Sequence, residues 1–220
     1  YGLADPAHTI YFQYNGAEVA LLFSEKQSDA TYYAASSLFP DTVVKIAADT
    51  VKYLEYDLID WIAVYPFQQW ITAVSELSVS GSGADVTFSL THGTDENNAA
   101  TLDVTASTGV RITNEYVHNF RQFYKTLLSI AIKDYAELTD GEIRTLISDE
   151  KNCILTLTIV GLTGEKTVYR FYPYSGAGRR ALMTVNGSGE FYVETDLIRK
   201  IASDANKVLA GLDVNAYGKN

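Results

Sequence analysis

Three stretches of this chain carry the same order of residue types without a gap, and that order constrains the fold more than any other feature. They are Val44-Lys45-Ile46-Ala47-Ala48-Asp49-Thr50-Val51-Lys52-Tyr53-Leu54, Val110-Arg111-Ile112-Thr113-Asn114-Glu115-Tyr116-Val117-His118-Asn119-Phe120 and Phe191-Tyr192-Val193-Glu194-Thr195-Asp196-Leu197-Ile198-Arg199-Lys200-Ile201. Each begins with two apolar residues around a polar or amphipathic one, the alternation of a strand with one face inward. Asn114 and Thr195 are good helix N-caps, and an acid follows in all three copies, where the helix dipole favours negative charge. Val51 and Leu54, Val117 and Phe120, and Ile198 and Ile201 then start an apolar stripe at helical spacing. The pattern predicts a strand running into a helix, three times over.

Strand signals precede each junction. In the first copy Thr9–Tyr14 and Glu18–Phe23 flank Asn15-Gly16, the strongest short hairpin signal, and Thr31–Ala34 follows. In the second, Leu77–Ser80 and Val86–Thr91 flank Gly81-Ser82-Gly83, with Thr101–Thr105 beyond the polar loop 94–98. In the third, Ile154–Val160 and Lys166–Phe171 are joined by a Gly-rich turn. Arg180–Val185 and Glu190–Val193 flank Asn186-Gly187-Ser188-Gly189. The expected fold is therefore α+β: three repeated units of antiparallel β-meander followed by an α-helix, over 1–72, 73–138 and 139–220. Helices are expected over about 49–61, 115–133 and 196–210, the last stopped by Gly211. An extra helix over 140–148 is expected to start at the capping box Thr139-Asp140-Gly141-Glu142.

Seventeen basic residues stand against 27 acidic ones, a formal charge of −10. That balance repels phosphate backbones, so nucleic acid is not expected as a partner. The lone cysteine, Cys153, sits in an apolar run and has no internal disulfide partner; it reads as a small buried hydrophobe. No stretch reaches the ~18 apolar residues of a membrane span. The chain opens at Tyr1 directly in patterned sequence, and is expected to be a piece of something longer.

Chemistry-bearing patterns are sparse. His8, His92 and His118 stand in no metal-ligand frame, and Asp95–Asn98 lacks the glycine and terminal glutamate of a calcium loop, so neither metal nor cofactor is expected. Both Gly-Ser-Gly motifs lie between two strands and read as turns, unlike a nucleophile elbow. Asp57 and Asp60, three apart on a helix, have the spacing of an acid/base pair but also of a solvated face. No catalytic residue is expected. The stretch Tyr172-Pro173-Tyr174-Ser175-Gly176-Ala177-Gly178-Arg179-Arg180 is the one candidate binding site, through Tyr172, Tyr174, Arg179 and Arg180. It reads as an anion nest or sugar-contacting loop, against the simpler reading of a hairpin tip whose glycines allow positive φ. The aromatics Tyr53, Tyr56, Trp61, Tyr65, Phe67 and Trp70 read as core, or as a partner surface.

The opening Tyr1-Gly2-Leu3-Ala4-Asp5-Pro6 with the strand Thr9–Tyr14 resembles the start of a unit in the bacterial domain-of-unknown-function 4340 family. So do Tyr32-Tyr33, Val43-Val44-Lys45-Ile46 and Asp57-Leu58-Ile59-Asp60-Trp61 in that order. The resemblance is strongest over 1–61 and 166–210, and the third unit is longer than the family pattern. It implies a protein held outside the cytoplasmic membrane by an N-terminal helix or lipid, associated with ABC-type transport or gliding auxiliary systems, with no catalytic residues to carry over. The expectation is a non-catalytic extracytoplasmic interaction or scaffold domain with a protein partner at the membrane or envelope. The alternative is a small-molecule or glycan-binding module.

Overall fold

Asn15 and Gly16 adopt φ of 50° and 78°, a type I′ turn that matches the twist of the strands it joins. It links β1 (His8–Tyr14) to β2 (Ala17–Phe23), and β3 (Thr31–Ser36) and β4 (Phe39–Ala47) complete a four-stranded antiparallel meander in the order β1-β2-β3-β4. A computed structural model describes residues 1–113, 116–174 and 178–216. The chain divides into two compact bodies, Tyr1–Ile62 and Ala63–Asn220. In the first, one face of the meander buries Phe23, Tyr32 and Ala34 against Ala48 and Val51, with Ile10, Leu21, Ile46, Tyr53 and Leu54 around them.

The expected helix over 49–61 is replaced by a 3-10 segment, Ala48–Glu55, and a separate four-residue helix, α1 (Leu58–Trp61). Two local forces break it. Thr50, Val51, Tyr53 and Tyr56 are weak helix formers, and Val51 departs to φ −124°, ψ 30°. Asp57 then opens a new turn, its N–H donating to the Asp60 carboxylate at 3.0 Å. The two acids cap a helix, and their pairing is thereby explained.

The second body is built on one nine-stranded antiparallel sheet. Its strands are β5 (Val74–Gly81), β6 (Ala84–Thr94), β7 (Ala100–Ala106), β8 (Arg111–Ile112), β9 (Asp134–Tyr135), β10 (Leu155–Gly161), β11 (Lys166–Pro173), β12 (Arg180–Val185) and β13 (Ser188–Glu194). The order is β8-β7-β6-β5-β10-β11-β12-β13-β9. The strands of the second and third expected units thus share a sheet, joined where β5 pairs with β10. At the aligned stretches β4 leads into the 3-10 segment Ala48–Glu55 and β13 into α4 (Thr195–Leu209), while β8 precedes α2 (Val117–Leu128). Asn114 and Glu115, the predicted cap and acid of the middle copy, lie outside the described residues. The helix expected over 115–133 ends at Leu128, and Asp134–Tyr135 returns to the sheet edge beside β13.

Helices α2 and α4 pack together over the sheet. Phe120 and Phe123 meet Phe88 at ring separations of 5.2 and 5.8 Å, and Ile198, Ile201, Ala202 and Ala205 are fully buried. Asn119, the polar neighbour of Phe120, is 6% exposed and accepts the Val214 N–H at 3.3 Å. Position 119 neighbours Phe120 on the stripe, and the segment after α4 covers it.

Candidate functional site

Along the centre of the nine-stranded sheet the face opposite the Phe88 side is polar, with Ser78, Ser80, Thr87, Thr156 and Thr158 in alternation. At β11 and β12 that same face turns apolar: Tyr172 and Leu182 are directly paired and buried. The change demands a cover, and α3 (Asp140–Ser148) supplies it. Thr139 and Glu142 start this helix with a reciprocal capping box, and Ile143, Leu146 and Ile147 recur at helical spacing over Tyr172, Leu182 and Ala136. The predicted helix over 140–148 is present at those bounds.

The four candidate residues are treated unequally by this packing. Tyr172 is 4% exposed and belongs to the core under α3. Tyr174 packs half-buried against the same cluster, and burial raises its phenol pKa while nearby Arg180 opposes the rise. The Arg180 guanidinium lies 4.6 Å from the centre of the Tyr192 ring and donates to the Glu137 carboxylate at 3.2 Å. Arg179 is exposed; its carbonyl accepts the Thr195 N–H at 2.9 Å, and the Thr195 hydroxyl donates to the Gly178 carbonyl at 2.5 Å. Residues 175–177 lie outside the described set. Tyr172, Tyr174 and Arg180 thus converge on one end of the sheet, where the first and last hold structure together.

Beside them is an open cleft of about 630 Å³, lined by Leu138, Thr139, Glu142, Leu146, Asn152 and Tyr174 among others. Its size suits a small ligand, but the polar groups of Thr139, Glu142 and Asn152 are already engaged. The Glu142 carboxylate accepts the Thr139 N–H at 2.8 Å and hydroxyl at 2.7 Å, which lowers its pKa, and the Asn152 amide donates to the Leu146 carbonyl at 3.1 Å. What the cleft offers is apolar surface. A second cleft of about 450 Å³ lies where β7 meets α2, with Asp103, His118 and Arg121 on its wall.

Among the described residues no three His, Cys, Asp or Glu side chains come together as a metal site. His92 hydrogen-bonds the Val74 carbonyl at 2.8 Å within the sheet, and His118 faces Gln122 at 3.4 Å. Asp95 closes its own loop by accepting the Asn97 and Ala99 N–H groups, and Ser82, at a hairpin tip, donates to the Ile154 carbonyl.

Sequence reasoning missed two things. Asp204 is completely buried on α4, held by Lys200, by the Thr126 hydroxyl at 3.2 Å and by Lys207 at 3.5 Å. Its spacing of three from Ile201 was the available signal. The other is the uneven distribution of exposed apolar side chains. Among the described residues eleven of the eighteen large ones, including Tyr11, Phe12, Tyr14, Phe39, Val43 and Trp61, lie in the first 62 residues. Of the aromatics read as core, Phe67 stacks on Tyr169 at 4.0 Å, whereas Trp61, Tyr65 and Trp70 are exposed.

No family model matches the chain, and neither does any curated protein or solved structure.

Proposed function

We propose that this chain is a non-catalytic interaction domain of a membrane-anchored bacterial protein, working outside the cytoplasm with a protein partner and accessory to an ABC-type transport system. The observation that carries the interaction reading is the concentration of exposed apolar side chains on residues 1–62. Tyr11, Ala20, Leu22, Tyr33, Ala35 and Val43 fall on one face of the meander by register. Tyr11 and Val43 are exposed and the other four half-buried, Tyr33 with the Tyr1 ring 4.7 Å away, and the 3-10 segment covers the opposite face. An apolar sheet face left open marks a place where another surface docks. The envelope and transport assignments rest on the sequence resemblance, and the reading of the three strand-to-helix junctions as copies of one unit rests on their aligned residue types.

The test is site-specific photocrosslinking in the full-length protein in its native membranes, from Val43 on the open face and from Thr158 on the polar face of the larger sheet. The expected outcome is a discrete protein adduct from Val43, abolished by Leu22→Lys, and none from Thr158. Equal labelling from both positions, or adducts indifferent to Leu22→Lys, would sink the proposal.

A small-molecule or glycan reading is favoured only by the cleft beside Tyr174. Because Thr139, Glu142 and Asn152 are committed to the two ends of α3, an apolar ring or chain is the ligand chemistry it suits. A Tyr174→Ala change that left all ligand-induced shifts in place would remove this alternative.

A further inference from the structure

The two sheets finish their edges differently. The nine-stranded sheet ends on β8 and β9, each two residues long and carrying a charge, Arg111 or Asp134. Short, charged edges resist further pairing. In the four-stranded sheet, β4 carries Pro40, Asp41 and Lys45, the last paired with Asp29 at 2.6 Å. The other edge, β1, is seven residues long and reads His-Thr-Ile-Tyr-Phe-Gln-Tyr, with no proline and no Asp, Glu, Lys or Arg.

The two-residue turn fixes which backbone groups of β1 are free. Tyr14 and Ala17 close the hairpin and exchange hydrogen bonds, so Phe12, Ile10 and His8 also bond to β2, while Gln13, Tyr11 and Thr9 direct their N–H and C=O groups outward. The bonding of β2 agrees: Ala20, opposite Tyr11, exchanges its backbone bonds with Ser37 on the far side. Three donors and three acceptors therefore line an exposed edge, an array that an extended backbone matches group for group.

We propose that the occupant is a second copy of this chain, whose β1 pairs antiparallel about a two-fold axis at Tyr11 to give one continuous eight-stranded sheet. In this register Tyr11 faces Tyr11 of the second copy, and Thr9 faces Gln13, so every outward N–H and C=O of both strands finds a partner. The side chains follow. Phe12, 40% exposed, meets Ile10 of the other copy on the core face, and Tyr14, 56% exposed, meets His8. Apolar groups oppose apolar groups, and no like charges are brought together despite the overall charge of −10. A slip by one residue would set Phe12 and Tyr14 against the solvent-facing side, so the pattern itself specifies the register. This dimer is independent of the partner proposed for the open face of the same sheet.

Sedimentation equilibrium over a concentration series, with register-specific crosslinking, tests the proposal. The wild-type chain is expected to reach twice its 24.2 kDa mass. Tyr11→Pro, which removes an outward N–H without touching a bond to β2, is expected to stay monomeric with an unchanged far-ultraviolet spectrum. In a Cys153→Ser background, Tyr11→Cys should form a disulfide-linked dimer on mild oxidation, since paired Cα atoms lie about 5.5 Å apart. Tyr14→Cys alone should not, but should link to His8→Cys when the two variants are mixed. A chain that remains monomeric throughout, or a dimer that links through Tyr14→Cys and not Tyr11→Cys, overturns the proposal. So does a monomer whose β1 binds an extended peptide of another protein in place of itself. The crosslinks decide the matter even if Tyr11→Pro fails to fold.

Discussion

A Cβ at position 81 would lie 2.4 Å from the Ile154 carbonyl oxygen, on a backbone with φ of +113°. At position 83, two residues on in the same turn, φ is +83° but nothing stands within 4 Å. Gly81→Ala is therefore expected to cost about 3 kcal/mol or more, from strain and a clash with the adjacent strand. Gly83→Ala should cost about 1–2 kcal/mol, from the left-handed backbone alone. Urea midpoints of the two variants would show it, and equal losses would mean that the approach of Ile154 is not limiting. Asp204 makes a complementary case in which the side chain matters. Its carboxylate is wholly buried, yet Lys200 and Lys207 reach it from the preceding and following turns of the same helix and Thr126 reaches it from α2. Removing this acceptor in Asp204→Ala should cost about 1.5–3 kcal/mol, the range for hydrogen bonds to a charged group. Thr126→Val should cost less, because the lysines remain; thermal denaturation of both would rank them, and a larger loss from Thr126→Val would contradict this account.

At the scale of elements, the first body depends on one phenol. Tyr32 is 1% exposed and donates to the Glu55 carboxylate at 2.8 Å, tying β3 to the 3-10 segment. Burial, then the Glu55 bond, push its pKa from 10.0 up to about 12. The folded state thus favours the neutral phenol. That contribution is fully present below the unfolded pKa near 10 and is lost as pH rises through about 12. Amide resonances of Ala34 and Ala48 should report loosening of this body between pH 10 and 12, and Tyr32→Phe should remove the alkaline dependence while losing the bond. An unchanged alkaline profile in that variant would place the sensitivity elsewhere. The elements most legible from sequence were the strands between glycine turns and the helix announced by Thr139 and Glu142, where local signals and tertiary packing agree. The first helix was misread because an apolar spacing of three, Val51 to Leu54, also fits a 3-10 segment, and because Asp57 is itself a cap. The burial of Asn119 was not legible because amphipathic patterning cannot see the segment at Val214 that folds over it. Phe120→Ala is accordingly expected to cost about 3–5 kcal/mol. Asn119→Ala should cost about 1 kcal/mol or more through the stranded Val214 N–H. Matched denaturant curves for the pair, with exposed Lys52→Ala near zero, would separate these readings.

For the whole molecule the decisive fact is which strands are interior and which are edges, and sequence carries that information only in part. Nothing local announces that β5 pairs with β10, eighty residues on, because the hairpins that deliver each strand are complete before the pairing is made. The candidate loop at Tyr172–Arg180 meets the same limit: that α3, a separate element, covers Tyr172 is not legible from the loop itself. Edges, in contrast, leave a trace in composition, in the charges of β4, β8 and β9 and their absence from β1. These differences should appear directly in native-state hydrogen exchange. Leu77, Val79, Leu157 and Ile159 lie at the centre of the nine-stranded sheet, nearly or completely buried, and their amides should exchange slowest, near the global unfolding limit. Thr9 and Gln13, whose N–H groups point off the edge of β1, should exchange freely in dilute solution. If two copies pair there, those two amides should gain protection as concentration rises, while Ile10 and Phe12, already bonded to β2, change little. Exchange at Thr9 and Gln13 that is slow at every dilution would mean that the edge is closed within a single chain. Exchange that is fast at every concentration would mean that β1 remains an unpaired edge.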